Sequence, residues 1–256
     1  MIKVLVCIIA GIGAGVGTGF AGMSAAAVIS PMLITFLDMD PYMAVGIALA
    51  SDVLASAASA VTYGKNKNLD IKNGIIMMIS VLLFTAVGSY VASMVPKTTM
   101  GNMSVFMTLL LGIKFIIKPV IEPEKRFEDS SAKRKAILSM LGGVIVGAIC
   151  GFVGAGGGMM MLLVLTSLLG YELKTAVGTS VFIMSATALT GSVSHFVIGG
   201  MPDIEALIIC VVSTLVFAQL AAILANKASA KTLNRVTGAI LVILGMSILI
   251  VDRFAK

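Results

Sequence analysis

The sequence predicts an all-α, polytopic membrane protein. The expected plan is two inverted-topology repeats of about five helical segments each, 8–10 crossings in all, with Gly-rich broken or short helices meeting near the midplane. Three observations carry this: a strongly apolar composition, an internal repeat at a fixed offset, and a reversal of loop charge between equivalent loops.

Of 256 residues, 59% are hydrophobic and 12% charged. A soluble domain uses about 25% charged residues, so this chain cannot cover a soluble surface. Apolar runs near the ~20 residues that span a bilayer recur, as in Ile75–Val95, Met103–Ile117, Ile204–Ala225 and Val236–Val251. They are continuous rather than alternating, which argues against a β-barrel. The net charge of +6 sits in short loops between apolar runs. There it orients helices in the membrane rather than binding nucleic acid. Cys7, Cys150 and Cys210 lie far apart with no metal-ligand spacing, so they read as small core residues. No HExxH, GxSxG or P-loop is present, and His195 is the single histidine, so an enzyme is not expected. "GTGFAG" at Gly17–Gly22 matches GxGxxG without a surrounding βαβ unit, so no cofactor is expected.

Shifting the chain by 132 positions, the distance from Gly19 to Gly151, lays Gly11, Gly15, Gly19 and Gly22 on Gly143, Gly147, Gly151 and Gly154. Phe20 then meets Phe152, and "AVG" at Ala44–Gly46 meets "AVG" at Ala176–Gly178. One extra residue in the next loop aligns "LDI" (Leu69–Ile71) with "PDI" (Pro202–Ile204). A long ungapped register with shared punctuation indicates duplication. It divides the chain into a first transmembrane repeat (1–119), a charged linker (120–136) and a second repeat (137–256). The opening run "MIKVLVCIIAGIGAG" has signal-peptide features, but the repeat makes it the first helix of a half, and it is expected to be retained.

Equivalent loops differ in charge. Gly64–Asn73 carries Lys65, Lys67 and Lys72, whereas Gly199–Glu205 carries Asp203 and Glu205. Pro96–Asn102 has one Lys, whereas Asn226–Arg235 has Lys227, Lys231 and Arg235. Lys- and Arg-rich loops stay cytoplasmic, so equivalent loops are expected on opposite sides, as in an inverted repeat. The linker then falls in the cytoplasm and both termini outside, in a multi-pass protein of the cell membrane. The segments are 3–20, 23–37, 42–63, 74–95 and 102–119, then 137–153, 157–169, 175–198, 204–225 and 234–252. The second of each half is short, so the first two are either full crossings or a partial hairpin turning inside the membrane.

The glycines fall into two kinds. Gly11/Gly15/Gly19 and Gly143/Gly147/Gly151 have the small-xxx-small spacing of a packing face. "GAGGG" at Gly154–Gly158 exceeds what one packing face needs. It reads as a turn inside the bilayer, with "GTGFAGMSAAA" (Gly17–Ala27) as its partner. Backbone leaving a helix there must be buried in protein or line a polar cavity. The helix that follows points free N–H groups and a partial positive charge at whatever sits before it, which suits an anion.

"GFVGAGGGMMMLLVLTSLLG" followed by "TAVGTSVFIMSATALTGSVSHFVIGGMPD" resembles the TauE/SafE family of membrane transporters, over nearly the whole chain and most closely in its second half. The resemblance implies movement of sulfur-containing anions: sulfite, thiosulfate, or organosulfonates such as sulfoacetate. Half one departs from the pattern, with "AGMSAAA" for the glycine cluster, "AVGIALASD" for "AVGTS", and Tyr63 where half two has His195.

The expected substrate-binding residues are Gly22, Ser24, Gly154, Gly156, Gly157, Gly158, Thr179, Ser180, His195 and Tyr63. Hydroxyls of Ser24, Thr179 and Ser180 are oxyanion donors in one reading and helix caps or back-bonds in the other. His195 reads as a binding or proton-coupling group, or as an interfacial histidine. Asp52 is the carboxylate inside the apolar run "IALASDVLASAAS". A carboxylate there needs a partner, water or a proton, which suits proton coupling better than direct anion binding. Gln219 reads as a helix-bridging amide. The expected partners are a small anion, protons and the lipid bilayer, with the chain a monomer or homodimer. The expected function is secondary transport by alternating access. An anion channel and a non-transporting membrane assembly subunit are the alternatives.

Overall fold

A membrane interior offers backbone groups no water, so apolar segments satisfy them by coiling, even where glycine is frequent. The computed structural model describes residues 2–92, 113, 116–117, 131–153, 157–229, 231–236, 238–239, 242–243, 246 and 250. Every extended element among them is helical, and no strand occurs among the described residues. The helices are α1 (Ile2–Ala21), α2 (Ala26–Leu37), α3 (Pro41–Lys65), α4 (Ile71–Ala92), α5 (Ala132–Val153), α6 (Gly157–Ser167), α7 (Leu173–Gly199) and α8 (Ile204–Lys227). Ile2–Ala21, Met43–Lys65, Leu173–Val197 and Ile204–Lys227 are each long and apolar enough to cross a membrane, while Ile71–Thr85 is a shorter apolar stretch. These spans match the expected segments to within a few residues. The expected segments 102–119 and 234–252, and most of the 120–136 linker, lie outside the described residues. α5 begins at Ala132, so Lys133, Arg134 and Lys135 ride on its first turn.

The two short helices are α2, with 12 residues, and α6, with 11. At ~1.5 Å per residue they reach roughly 18 and 17 Å, well short of the ~30 Å apolar core. α2 also contains Pro31 and closes on Asp38, whose left-handed backbone (φ 50°) returns its N–H to the Leu33 carbonyl.

The principal helix pairings are α4 on α5, α1 on α8 and α3 on α7. Glycines set the first two. A Cβ at Gly15 would lie 2.6 Å from the Thr214 carbonyl oxygen and 2.8 Å from Ala218 N. A Cβ at Gly147 would lie 2.6 Å from the Val81 carbonyl oxygen. Gly11 and Gly19 meet Ser213 and Ala221 on the same face of α8, and Gly143 meets Met77 and Ser80 of α4. The small-xxx-small stripes are therefore packing faces, one letting α1 lie against α8 and the other α5 against α4. Contacts advance in the same direction along both partners, so each of these pairs is parallel.

α3 and α7 run antiparallel. Gly46 lies against His195 and Phe196, Gly191 against Leu49, and Gly178 against Tyr63. Asp70 and Asp203, the aspartates of "LDI" and "PDI", begin α4 and α8 in the same way. Asp70 Oδ1 accepts from Asn73 N at 3.0 Å and Asp203 Oδ1 from Ala206 N at 3.1 Å, each satisfying a donor three residues on.

Candidate functional site

The chain leaves the helix at Gly22. Its φ of 59° is left-handed, where a side chain costs roughly 1–2 kcal/mol. The main chain then runs through Met23 and Ser24 before α2 starts. Thr18 Oγ1 donates to the Met23 carbonyl at 3.0 Å, and Ser180 Oγ of α7 donates to the Gly22 carbonyl at 2.9 Å. Two hydroxyls from neighbouring turns thus take up carbonyls that the break frees.

At the other side of the break stand the first amides of α2. Ala25 and Ala26 have no side-chain oxygen of their own, so the caps come from elsewhere. Ser24 Oγ accepts from Ala26 N at 3.3 Å. The Ala25 amide donates to Asp52 Oδ2 at 3.1 Å, and Ser56 Oγ donates to Asp52 Oδ1 at 2.6 Å. Asp52 sits near the middle of α3 and is fully buried. It is a carboxylate held by the N-terminus of a half-length helix, where the helix dipole favours negative charge.

α6 reaches the same place. A Cβ at Gly158 would lie 2.6 Å from Ser24 N and 2.8 Å from the Gly22 carbonyl oxygen. Only hydrogen at that position lets the start of α6 touch the main chain of the break. The N-termini of α2 and α6 therefore converge on one point beside Asp52. Gly157 opens α6; Gly154 and Gly156 lie outside the described residues.

The other expected site residues are placed as follows. Thr179 Oγ1 accepts from Asp70 N at 3.2 Å, tying α7 to the α3–α4 loop. Tyr63 is fully buried and its hydroxyl donates to the Gly19 carbonyl at 2.8 Å. His195 is half-buried at the far end of α7, against Gly46. Fifteen residues separate it from Ser180, about 22 Å along the axis, so it stands apart from the break. Gln219 Nε2 donates to Thr62 Oγ1 at 2.9 Å and bridges α8 to α3, as expected of it. Cys7 and Cys210 are free and buried side by side. Sequence reasoning did not foresee Thr18 or Ser56. Ser56 carried a signal: it lies one helical turn after Asp52 in "SDVLAS".

The α3–α4 loop packs across α7 near Gly178 and the end of α8. Tyr171 OH donates to Asp70 Oδ2 at 2.7 Å, and Asn68 Nδ2 donates to Asn226 Oδ1 at 2.7 Å. Burial, with Asp70 adding to it, pushes the Tyr171 phenol well above its usual range, so it stays a donor. At the opposite end Lys3 Nζ pairs with Asp203 and Glu205 at 2.6 and 2.8 Å.

Fold and site together define a multi-pass helical membrane protein in which the starts of the short helices α2 and α6 meet beside a buried carboxylate. A family model described as Sulfite exporter TauE/SafE matches residues 7–248, and the chain belongs to that family. It is 26% identical over 265 residues to the probable membrane transporter protein YunE of Bacillus subtilis strain 168, covering 96% of this chain and 97% of the relative. It is 24% identical over 189 residues to the probable membrane transporter protein YdhB of the same organism, with 72% and 76% coverage. A probable membrane transporter protein of Haemophilus influenzae is 24% identical over 162 residues, with 63% and 62% coverage. The chain is a membrane transporter and not an enzyme.

Proposed function

We propose that this protein is a secondary transporter of small sulfur-containing anions (sulfite, thiosulfate or organosulfonates such as sulfoacetate), working by alternating access between two inverted halves of the cell-membrane-embedded chain, with Asp52 coupling transport to protons. The observation that carries it is the convergence of the α2 and α6 N-termini at Gly22–Ala25 and Gly158, beside Asp52. Two positive helix ends aimed at one buried point form an anion site without a buried cation. In this arrangement the Asp52 carboxylate is the anion there. Protonating it weakens its hold on the Ala25 amide and frees that donor for a substrate oxygen. Anion binding and proton binding thereby favour one another.

The packing supports inversion. Under the 132-residue offset, Gly46 corresponds to Gly178 and Tyr63 to His195. The two antiparallel contacts, Gly46 on His195 and Gly178 on Tyr63, then exchange. So do the two glycine-stripe pairings, α1 on α8 and α5 on α4. A two-fold axis lying in the membrane plane relates helices this way. The Asn68 carbonyl is pressed onto Gly178, and Phe196 and His195 lie against Gly46. By loop charge, the end carrying Lys65, Lys67 and Lys72 is cytoplasmic.

Flux into proteoliposomes tests the proposal. Sulfite, thiosulfate or sulfoacetate should move faster when an inward proton gradient is imposed. Preloading with substrate should accelerate exchange. Flux without such acceleration would make the protein a channel, and no flux of any sulfur anion under any gradient would remove the substrate assignment.

A further inference from the structure

Asp52 is not alone on its face of α3. Residues 52, 56, 59 and 63 recur at the spacing that puts side chains in one line along a helix. They are Asp52, Ser56, Ser59 and Tyr63, and all four are completely buried. Three have protein partners. Ser56 donates to Asp52, Asp52 accepts from Ala25, and Tyr63 donates to the Gly19 carbonyl. The Ser59 hydroxyl, between Ser56 and Tyr63, has none. A buried hydroxyl left without a partner costs roughly 1–3 kcal/mol, and buried polar groups of this kind commonly hold an internal water. Tyr63 is followed two residues later by the exposed Lys65 at the end of the helix.

We propose that Ser59 is a water-binding residue in a proton path that runs along α3 from Asp52 through Ser56 and Ser59 to Tyr63, toward the α3–α4 loop. This rests on the reading of Asp52 as the proton-coupling group. Hydroxyls and water suit such a line because each accepts a proton on one side as it releases its own on the other. No hydroxyl in the line then holds net charge in a low-dielectric region. Within α3 no proline follows its first residue, Pro41, so the line stays straight, and a tyrosine in a helix leans back toward the preceding turn, which brings Tyr63 toward Ser59. Among the described residues packed around the middle of α3, no titratable group competes with Asp52. The stretches packed around the middle of α3, residues 11–19 of α1, 26–33 of α2, 181–188 of α7 and 214–222 of α8, contain no Asp, Glu, His, Lys, Arg, Cys or Tyr. The equivalents of Asp52 and Ser56 in half two are Met184 and Ala188, so the path belongs to one half.

Infrared spectroscopy of the full chain in lipid vesicles tests this without reference to any substrate. The carboxylic-acid stretch of Asp52 is the band lost in Asp52→Asn, and its deuterium exchange is followed after transfer to D2O buffer. Ser59→Ala should slow that exchange roughly tenfold or more while leaving thermal stability equal to or above wild type. Ser139→Ala, which removes another buried hydroxyl without a partner on α5, should leave exchange unchanged. Unaltered exchange in Ser59→Ala overturns the path. So does the lack of any protonated Asp52 band across the range from about pH 4 to 8. A Ser59-dependent exchange in a protein that moves no sulfur anion would keep the path and discard the substrate assignment.

Discussion

The Ala25 amide donates to the Asp52 carboxylate across 3.1 Å, so the first free N–H of α2 is capped by a side chain 27 residues away rather than by its own neighbour. In the proposed function that contact joins local helix chemistry to transport chemistry. Asp52→Ala should remove an N-cap and leave the Ser56 donor facing nothing. A loss of about 1–3 kcal/mol follows, read as a lower unfolding temperature in detergent. Asp52→Asn keeps an acceptor for Ala25 and should fold within about 1 kcal/mol of wild type. Its flux should no longer respond to pH. Persistent pH dependence in Asp52→Asn would assign proton coupling elsewhere.

Gly158 and Gly22 are constrained for different reasons, and alanine separates them. At Gly158 the added carbon meets the main chain of Ser24 and Gly22, which cannot rotate away. Gly158→Ala should cost about 1–3 kcal/mol through displacement of the break. At Gly22 the backbone itself is left-handed, and Gly22→Ala should cost about 1–2 kcal/mol, with Ser180 also crowded at 3.2 Å. Because both act on one contact, the double variant should lose less than the sum. Strict additivity in thermal unfolding would mean that the two turns do not touch.

The long helices were legible because hydropathy and length alone fix a membrane span. Ile204–Lys227 begins at the residue where its apolar run begins and ends two residues past it. The break at Gly22 and the short α2 and α6 were legible from glycine and segment length. The partners of the polar residues were not. Ser180 and Thr179 read in "AVGTS" either as oxyanion donors or as caps and back-bonds within their own helix, yet Ser180 holds the Gly22 carbonyl and Thr179 the Asp70 amide. Both partners are main-chain groups 158 and 109 residues away. Main-chain groups carry no sequence signature, so no pattern in the chain could have announced them. The aspartates of "LDI" and "PDI" were legible as repeat markers, and their capping role follows from the same alignment.

Gly15 and Gly147 occupy equivalent positions under the 132-residue offset and do equivalent work on different partners. Each brings a carbonyl oxygen of the facing helix, from Thr214 or Val81, to 2.6 Å from where a Cβ would stand. Gly15→Ala and Gly147→Ala must each push two helices apart, at roughly 1–3 kcal/mol. The two losses should agree within a few tenths of that scale and add in the double variant, since the sites share no partner. A large loss at one and none at the other would mean that only one stripe holds its helix pair together.

Lys3 and Asp203 give stability a pH dependence with a definite sign. The Lys3 ammonium, helped by the Ala206 amide, holds the Asp203 carboxyl below the usual carboxylate range. A depressed value in the folded state means the stabilisation is complete above the unfolded value of about 3.9 and disappears as pH falls through the folded value. The pair is partly exposed, so the effect is small and salt-sensitive. Lys3→Met should lower the unfolding temperature slightly at neutral pH, and the gap from wild type should close below about pH 4. Asp203→Ala should lose more, because it also removes the cap on Ala206, worth about 1 kcal/mol. A gap between wild type and Lys3→Met that stayed constant down to acid pH would assign the effect to packing of the lysine stem instead of its charge.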